Sequence, residues 1–115
     1  MVVEDDHDIR DSLAVALTDA GYAVVDASNG QVALDRLATT EPAVILLDLM
    51  MPVLNGLEFL VEFRKNPSWA RIPIIVASAN RGYDASDLGT FAVLRKPIDL
   101  DDLLESVSSA IAKAA

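Results

Sequence analysis

The stretch Val44-Ile45-Leu46-Leu47-Asp48 constrains what this chain can fold into more than any other. Four apolar residues, two of them β-branched, run without interruption into a carboxylate, and Pro42 and Pro52 bound the segment. A continuous apolar run with prolines at its margins predicts a strand buried on both faces, as in a parallel sheet covered by helices. Asp48 then stands where a central strand leaves the sheet. In open α/β sheets that carboxyl end is where ligands bind. Taken alone, a strand-end aspartate is explained as well by capping of the following turn. The rest of the chain decides between the two.

On either side the chain alternates strand and helix patterns. Val2-Val3 is the stub of a strand running into Glu4-Asp5-Asp6, and its shortness suggests a trimmed start. Asp8 to Ala20 carries Ile9, Leu13, Ala16, Leu17 and Ala20 at helical spacing, and Gly21 stops it. Tyr22-Ala23-Val24-Val25 reads as a second strand, and Ser28 or Asn29 caps a helix through Val32, Ala33, Leu34 and Leu37. After the central strand, the turn pair Asn55-Gly56 leads into a helix bearing Leu57, Leu60 and Val61, which Asn66-Pro67 ends. Ile72 to Ala77 is a fourth buried strand that closes at Ser78. Phe91 to Leu94 is a fifth, followed by Arg95-Lys96-Pro97; Asp99 then caps a last helix with the apolar stripe Leu100, Leu103, Leu104, Val107 and Ile111.

Between Asn80 and Thr90 there are two glycines and few apolar residues, so only Asp84 to Leu88 has room for a helix, of about one turn. Strands alternating with helices imply right-handed crossovers and a parallel sheet covered on both faces. The expected fold is therefore α/β, a doubly wound five-stranded parallel sheet with a shortened fourth helix. No repeat, linker or low-complexity segment divides residues 1–115, which read as a single domain.

Composition narrows the function. A chain of 115 residues buries one core, and 52% hydrophobic with 23% charged residues is globular in character. No apolar run approaches the roughly 20 residues needed to span a bilayer. No secretory leader pattern is visible, and the lack of cysteine excludes both a disulfide framework and a thiolate metal site, so a cytoplasmic location is expected. A net charge of −9 argues against direct contact with nucleic acid or anionic lipid, and suits a partner with a basic face or a site for cations.

In a parallel sheet the strand ends share one rim. Glu4, Asp5 and Asp6 follow the first strand, Asp48 closes the third, Ser78 the fourth, and Lys96 follows the fifth. Crowded carboxylates raise one another's pKa unless a cation intervenes. Hard oxygen ligands without histidine or cysteine select Mg²⁺, which takes one or two carboxylates and leaves room for a phosphate oxygen. A hydroxyl and an ammonium beside it would hold the other phosphoryl oxygens. The constellation reads as a place where a carboxylate accepts a phosphoryl group.

These residues give the chain its resemblance to the receiver domain of two-component response regulators, the flavodoxin-like (βα)₅ fold of the bacterial chemotaxis regulator. The resemblance covers essentially the whole chain and rests on Glu4-Asp5, on Asp48 with Leu49-Met50-Met51-Pro52 and Asn55-Gly56 after it, on Ala77-Ser78-Ala79, and on Lys96-Pro97. It implies that Asp48 is the phosphoacceptor. It implies that Asp5, Asp48 and the backbone carbonyl of Met50 bind Mg²⁺, with Glu4 acting mainly through a water. By the same likeness Ser78 is the switch hydroxyl, Lys96 the phosphate partner, and Lys96-Pro97 a cis peptide. The implied phosphodonor is a sensor histidine kinase or phosphotransfer protein, and the implied target an effector domain or output protein.

Three positions depart from the family pattern. The aromatic usually found three residues before the lysine is Val93, with Phe91 two residues away and expected on the same side of the strand. The segment between Ser78 and Lys96 is short. Met50 and Asn80, at positions that tune dephosphorylation in the family, are neither acids nor good bases. Two other functions stay open: a receiver-fold interaction module without phosphotransfer, and a phosphohydrolase using an aspartyl-phosphate. The second lacks an acid two residues after Asp48. Outside the rim, His7 reads as a solvated loop residue, Asp6 as a helix cap and Trp69 as packing.

Overall fold

Five strands pair in parallel, β1 (Val2–Val3), β2 (Asp26–Ala27), β3 (Ile45–Asp48), β4 (Ile74–Ser78) and β5 (Ala92–Arg95), in the order β2-β1-β3-β4-β5. This computed structural model describes residues 1–79 and 82–114. Between the strands run α1 (His7–Asp19), α2 (Gly30–Leu37), α3 (Gly56–Arg64), the one-turn α4 (Ala85–Leu88) and, after β5, α5 (Leu100–Ala114). A short 3₁₀ turn, Pro67–Trp69, precedes β4. The doubly wound parallel sheet and the shortened fourth helix are as expected.

The two faces follow from the strand pleat. Successive side chains point to opposite sides, so Ile45 and Leu47 of β3 join one apolar layer and Leu46 the other. Leu13 and Leu17 of α1 and Leu103, Val107 and Ala110 of α5 close over Leu46, Ile75 and Ala77. On the opposite face Ala33 and Leu37 of α2, Phe59, Leu60 and Phe63 of α3 and Leu88 of α4 close over Ile45, Leu47 and Val76. Ile45, Leu47, Ile75 and Phe59 are fully buried, each contributing about 1.5–3 kcal/mol of transfer free energy. Trp69 stacks on Phe63 with ring centres 5.7 Å apart, a packing role as expected.

Caps set the helix limits. Asp6 accepts the Ile9 N–H at 3.0 Å and starts α1, which makes His7 the first helical residue instead of a loop residue; its imidazole is solvated, 3.6 Å from both Asp8 and Asp11. At the other end Gly21 adopts φ +100, and the Gly21 and Tyr22 N–H groups return to Thr18 and Leu17. That pairing is a Schellman stop, which a side chain at Gly21 would strain. Asn29 caps α2, Asn55 and Glu58 form a capping box on α3, and Asp99 accepts the Asp101 and Asp102 N–H groups at the start of α5.

Three further expectations need correction. β4 runs Ile74–Ser78 and not from Ile72, since Pro73 has no N–H to give the ladder. Tyr22–Val25 approaches the sheet without forming strand, and β2 is Asp26–Ala27. With β1 only two residues long, the ladder between them is limited to Val2 with Asp26 and Val3 with Ala27. Phe91 does not share a side with Val93. Because β5 begins at Ala92, Phe91 lies before the regular pleat and packs in the α1 and α5 layer, under the Lys113 ammonium 5.9 Å from its ring centre. Val93 packs in the layer of α2, α3 and α4.

Candidate functional site

Register brings the chemistry to one rim. Leu47 pairs with Val3 and Asp48 with Ala77, so Glu4 and Asp48 leave adjacent strands at neighbouring levels, and Ser78 lies one step beyond Asp48 on β4. Ser78 pairs with Arg95 and its carbonyl accepts the Lys96 N–H at 3.0 Å, which carries Lys96 out at the same edge. The Lys96-Pro97 bond is cis, as expected. Gly56 lets α3 close against the end of β3. A Cβ there would meet the Leu49 Cα at 2.6 Å and the Asp48 carbonyl oxygen at 2.7 Å, while its N–H bonds the Leu49 carbonyl.

Glu4, Asp48 and Ser78 are the buried polar residues of the described chain. Asp48 uses both carboxylate oxygens: Oδ1 accepts the Met50 N–H at 3.1 Å and Oδ2 stands 3.1 Å from the Lys96 Nζ. That ammonium also lies 3.3 Å from Glu4 Oε1, having reached past β4 and β3 from the edge strand. A surface lysine would not be so engaged; the Lys96 side chain is 27% exposed and its charge is spent inward. Glu4 Oε2 accepts the Asp5 N–H at 3.2 Å.

The electrostatics follow from one cation serving two buried acids. Burial, then the hydrogen bond and charge of Asp48, push the Glu4 carboxyl from 4.5 up to about 8 against the opposing pull of Lys96. For Lys96, burial disfavours the ammonium, but hydrogen bonding and charge from Asp48, then from Glu4, outweigh it and hold its pKa above the ordinary lysine value.

Glu4, Asp5 and Asp48 each offer one oxygen, and these atoms lie within 4.8 Å of one another. Asp5 is exposed while its two neighbours are buried, so the cluster opens to solvent on one side. Three hard carboxylate donors without nitrogen or sulfur fit a divalent cation that retains water. Such an ion would offset the burial and the Asp48 charge that together raise Glu4. Met50 is 74% exposed and supplies neither acid nor base beside Asp48. Asn80, the other position expected to tune dephosphorylation, lies outside the described residues.

Two features of the rim carried no sequence signal. Val53, in the loop after Asp48, has φ +71, which no turn motif around it requires. Arg10 folds back from α1 under the carbonyls of Glu4 and Asp5, and an arginine on an amphipathic helix has no motif to mark it.

Residues 1–108 match the family model of the response regulator receiver domain. The chain is 37% identical over 108 residues to the response regulator MprA of Mycolicibacterium vanbaalenii, covering 90% of this chain and 46% of that protein. It is 33% identical over 120 residues to the probable transcriptional regulator ycf29 of Pyropia yezoensis, covering 98% of this chain and 53% of that one. The chain thus spans about half the length of these relatives. Among solved structures, the receiver domain of the Francisella response regulator 1452 superposes with a TM-score of 0.90 at 27% identity, over 99% of this chain and 96% of the other.

Proposed function

From the premise that this chain belongs to the response regulator receiver domain family, we propose that residues 1–115 form one receiver domain that accepts a phosphoryl group on Asp48. The observation that carries this reading is the buried Asp48 carboxylate, held by the Met50 N–H on one oxygen and faced by the Lys96 ammonium 3.1 Å from the other. The donor is the phosphorylated imidazole of a histidine kinase or phosphotransfer protein, and a small acyl phosphate serves in its place. One carboxylate oxygen of Asp48 attacks phosphorus, the bond from phosphorus to the donor nitrogen breaks, and the imidazole leaves with that electron pair.

Lys96 balances negative charge gathered on the phosphoryl oxygens, and the Ser78 hydroxyl donates a hydrogen bond to them. Asp5, Asp48 and the Met50 carbonyl would hold Mg²⁺, with Glu4 behind them through a water. Bound there, Mg²⁺ supplies charge neutralisation for a phosphoryl group entering a cluster of acids. The phosphorylated domain then changes conformation to control an effector domain or output protein. With no acid or base at Met50, the adduct is expected to outlast the transfer step instead of turning over as in a hydrolase.

The test is incubation with Mg²⁺ and acetyl phosphate, followed by intact-mass measurement and hydroxylamine treatment. A single hydroxylamine-labile phosphate, absent in Asp48→Asn, is expected. No adduct on the wild type would leave an interaction module without phosphotransfer, and continuous phosphate release would favour the phosphohydrolase.

A further inference from the structure

Arg10 is the residue that ties the acid rim to the body of the protein. From the second turn of α1 its Nη1 donates to the Glu4 carbonyl at 2.9 Å and to the Asp5 carbonyl at 3.4 Å, while Nε lies 3.6 Å from Asp26 Oδ2 on β2. Its side chain is 14% exposed, against 45% for Asp26, so the guanidinium is enclosed where it meets the loop. The Glu4 N–H is secured by the Ala27 carbonyl at 3.0 Å, but β1 ends at Val3, and among the described residues no strand N–H donates to the Glu4 or Asp5 carbonyl. A backbone carbonyl left unpaired costs free energy, and a loop of two successive acids repels itself. One guanidinium nitrogen, Nη1, serves both carbonyls while Nε of the same rigid plane faces Asp26, a geometry that a lysine ammonium on a flexible stem does not reproduce.

We propose that Arg10 is a positioning residue for the cation site: it fixes the backbone of Glu4 and Asp5 so that their carboxylates converge with Asp48. It touches neither the cation nor the phosphoryl group. The inference rests on the reading of the rim as a Mg²⁺-dependent phosphoacceptor. Its consequence runs opposite to simple electrostatics. Removing a positive charge near a cation site should, by charge alone, tighten Mg²⁺ binding. Loss of positioning should weaken it, and groups that orient metal ligands typically account for about 10–100-fold in metal affinity.

The experiment is calorimetric titration of the whole chain with Mg²⁺, in the wild type and in Arg10→Met, Arg10→Lys and Asp26→Asn, with circular dichroism to confirm folding. Arg10→Met keeps the apolar stem and loses the fork; its Kd for Mg²⁺ is expected to rise by about 10-fold or more. Arg10→Lys, charge intact, is expected to weaken binding nearly as much, and Asp26→Asn by less, because the carbonyl contacts survive. Labelling by acetyl phosphate should recover at saturating Mg²⁺, so the defect lies in cation affinity and not in the transfer step. Unchanged or tighter Mg²⁺ binding in a folded Arg10→Met overturns the inference. If that variant fails to fold, an unchanged Kd in Arg10→Lys does the same. A wild type that binds no Mg²⁺ sinks the underlying reading as well, whereas wild-type binding that survives the arginine substitutions sinks this inference alone.

Discussion

The Lys96 ammonium stands 3.1 Å from Asp48 and 3.3 Å from Glu4, one cation between two buried carboxylates. It cannot neutralise both. The deficit falls on Glu4, whose carboxyl is pushed up to about 8 by burial first and by Asp48 second. Without a divalent cation the folded protein therefore carries a proton on Glu4 that the unfolded chain has released.

That difference sets a pH dependence. Between 4.5 and about 8 the native state binds the extra proton and the unfolded state does not, so stability falls as pH rises through this window. One proton contributes a slope of at most about 1.4 kcal/mol per pH unit. Urea denaturation in a chelating buffer, compared between wild type and Glu4→Gln, isolates the effect from other titrating groups. The wild type should lose stability relative to the variant across the window. Parallel curves, or a wild type that gains on the variant as pH rises, would rule out a protonated Glu4.

Asp48→Asn should do two separable things. It removes the proposed phosphoacceptor, so acetyl phosphate is expected to leave no adduct. It also removes the charge and the hydrogen bond that raise Glu4, leaving Lys96 to pair with Glu4 alone, so the pH slope should flatten as it does in Glu4→Gln. A labelled Asp48→Asn protein would mean that another aspartate is the acceptor. An unlabelled one with the full wild-type slope would mean that Glu4 is raised by burial alone.

Val53 is a β-branched residue at φ +71 in the loop that leads from Asp48 to α3, a conformation that crowds its Cβ. Val53 is 78% exposed, so little packing is at stake. Val53→Gly or Val53→Asn should raise stability by about 1 kcal/mol, the relief of left-handed strain exceeding the backbone entropy that Gly adds to the unfolded chain. Chemical denaturation measures this directly, and a loss of stability in both variants would show that the valine contributes contacts greater than its strain.

What could be read in advance was whatever depends on short-range pattern. The apolar run into Asp48 is buried from Ile45 on, with Val44 partly buried ahead of the strand, Asn55 and Asp99 cap the helices expected of them, and the cis bond lies where lysine meets proline. What escaped depends on partners distant in sequence. Tyr22–Val25 has strand composition, but β2 forms only where the two-residue β1 is long enough to pair with it. The side to which Phe91 points is decided by where β5 begins, and alternation could not tell that its first paired residue is Ala92. Arg10 acts through main-chain carbonyls, which leave no trace in residue type. The backbone angle of Val53 is imposed by the path from β3 to α3, against local preference.

Thr90 sits just before β5 with its hydroxyl buried and, among the described residues, without a hydrogen-bond partner. A desolvated hydroxyl that makes no bond is destabilising, and valine fills nearly the same volume without it. Thr90→Val should raise the melting temperature, with a gain of about 1 kcal/mol in stability. A fall of that size would reveal a bond formed by the hydroxyl in solution.

The last prediction concerns how phosphorylation is transmitted. On the proposed function, charge added at Asp48 would act on Lys96 and Ser78, but β5 has no aromatic side chain able to follow. Val93 is short and stiff at its first torsion, and Phe91 packs on the opposite face beneath Lys113. The response should therefore pass along the chain from Ser78 into α4. That helix is a single turn held by the Asp84 and Asp87 capping box, by buried Leu88 and by the Arg64 guanidinium, which donates to the Leu88 carbonyl. With so few anchors its opening costs little, and a new tether at Ser78 should slow it. Hydrogen exchange with and without Mg²⁺ and a beryllofluoride phosphate mimic is expected to show protection gained mainly over Ala85–Leu88. Fluorine labelling of the phenylalanines should leave the Phe91 signal unmoved. A response confined to β5 with a shifted Phe91 signal, while α4 stays silent, would mean that the α1 and α5 face carries the switch instead.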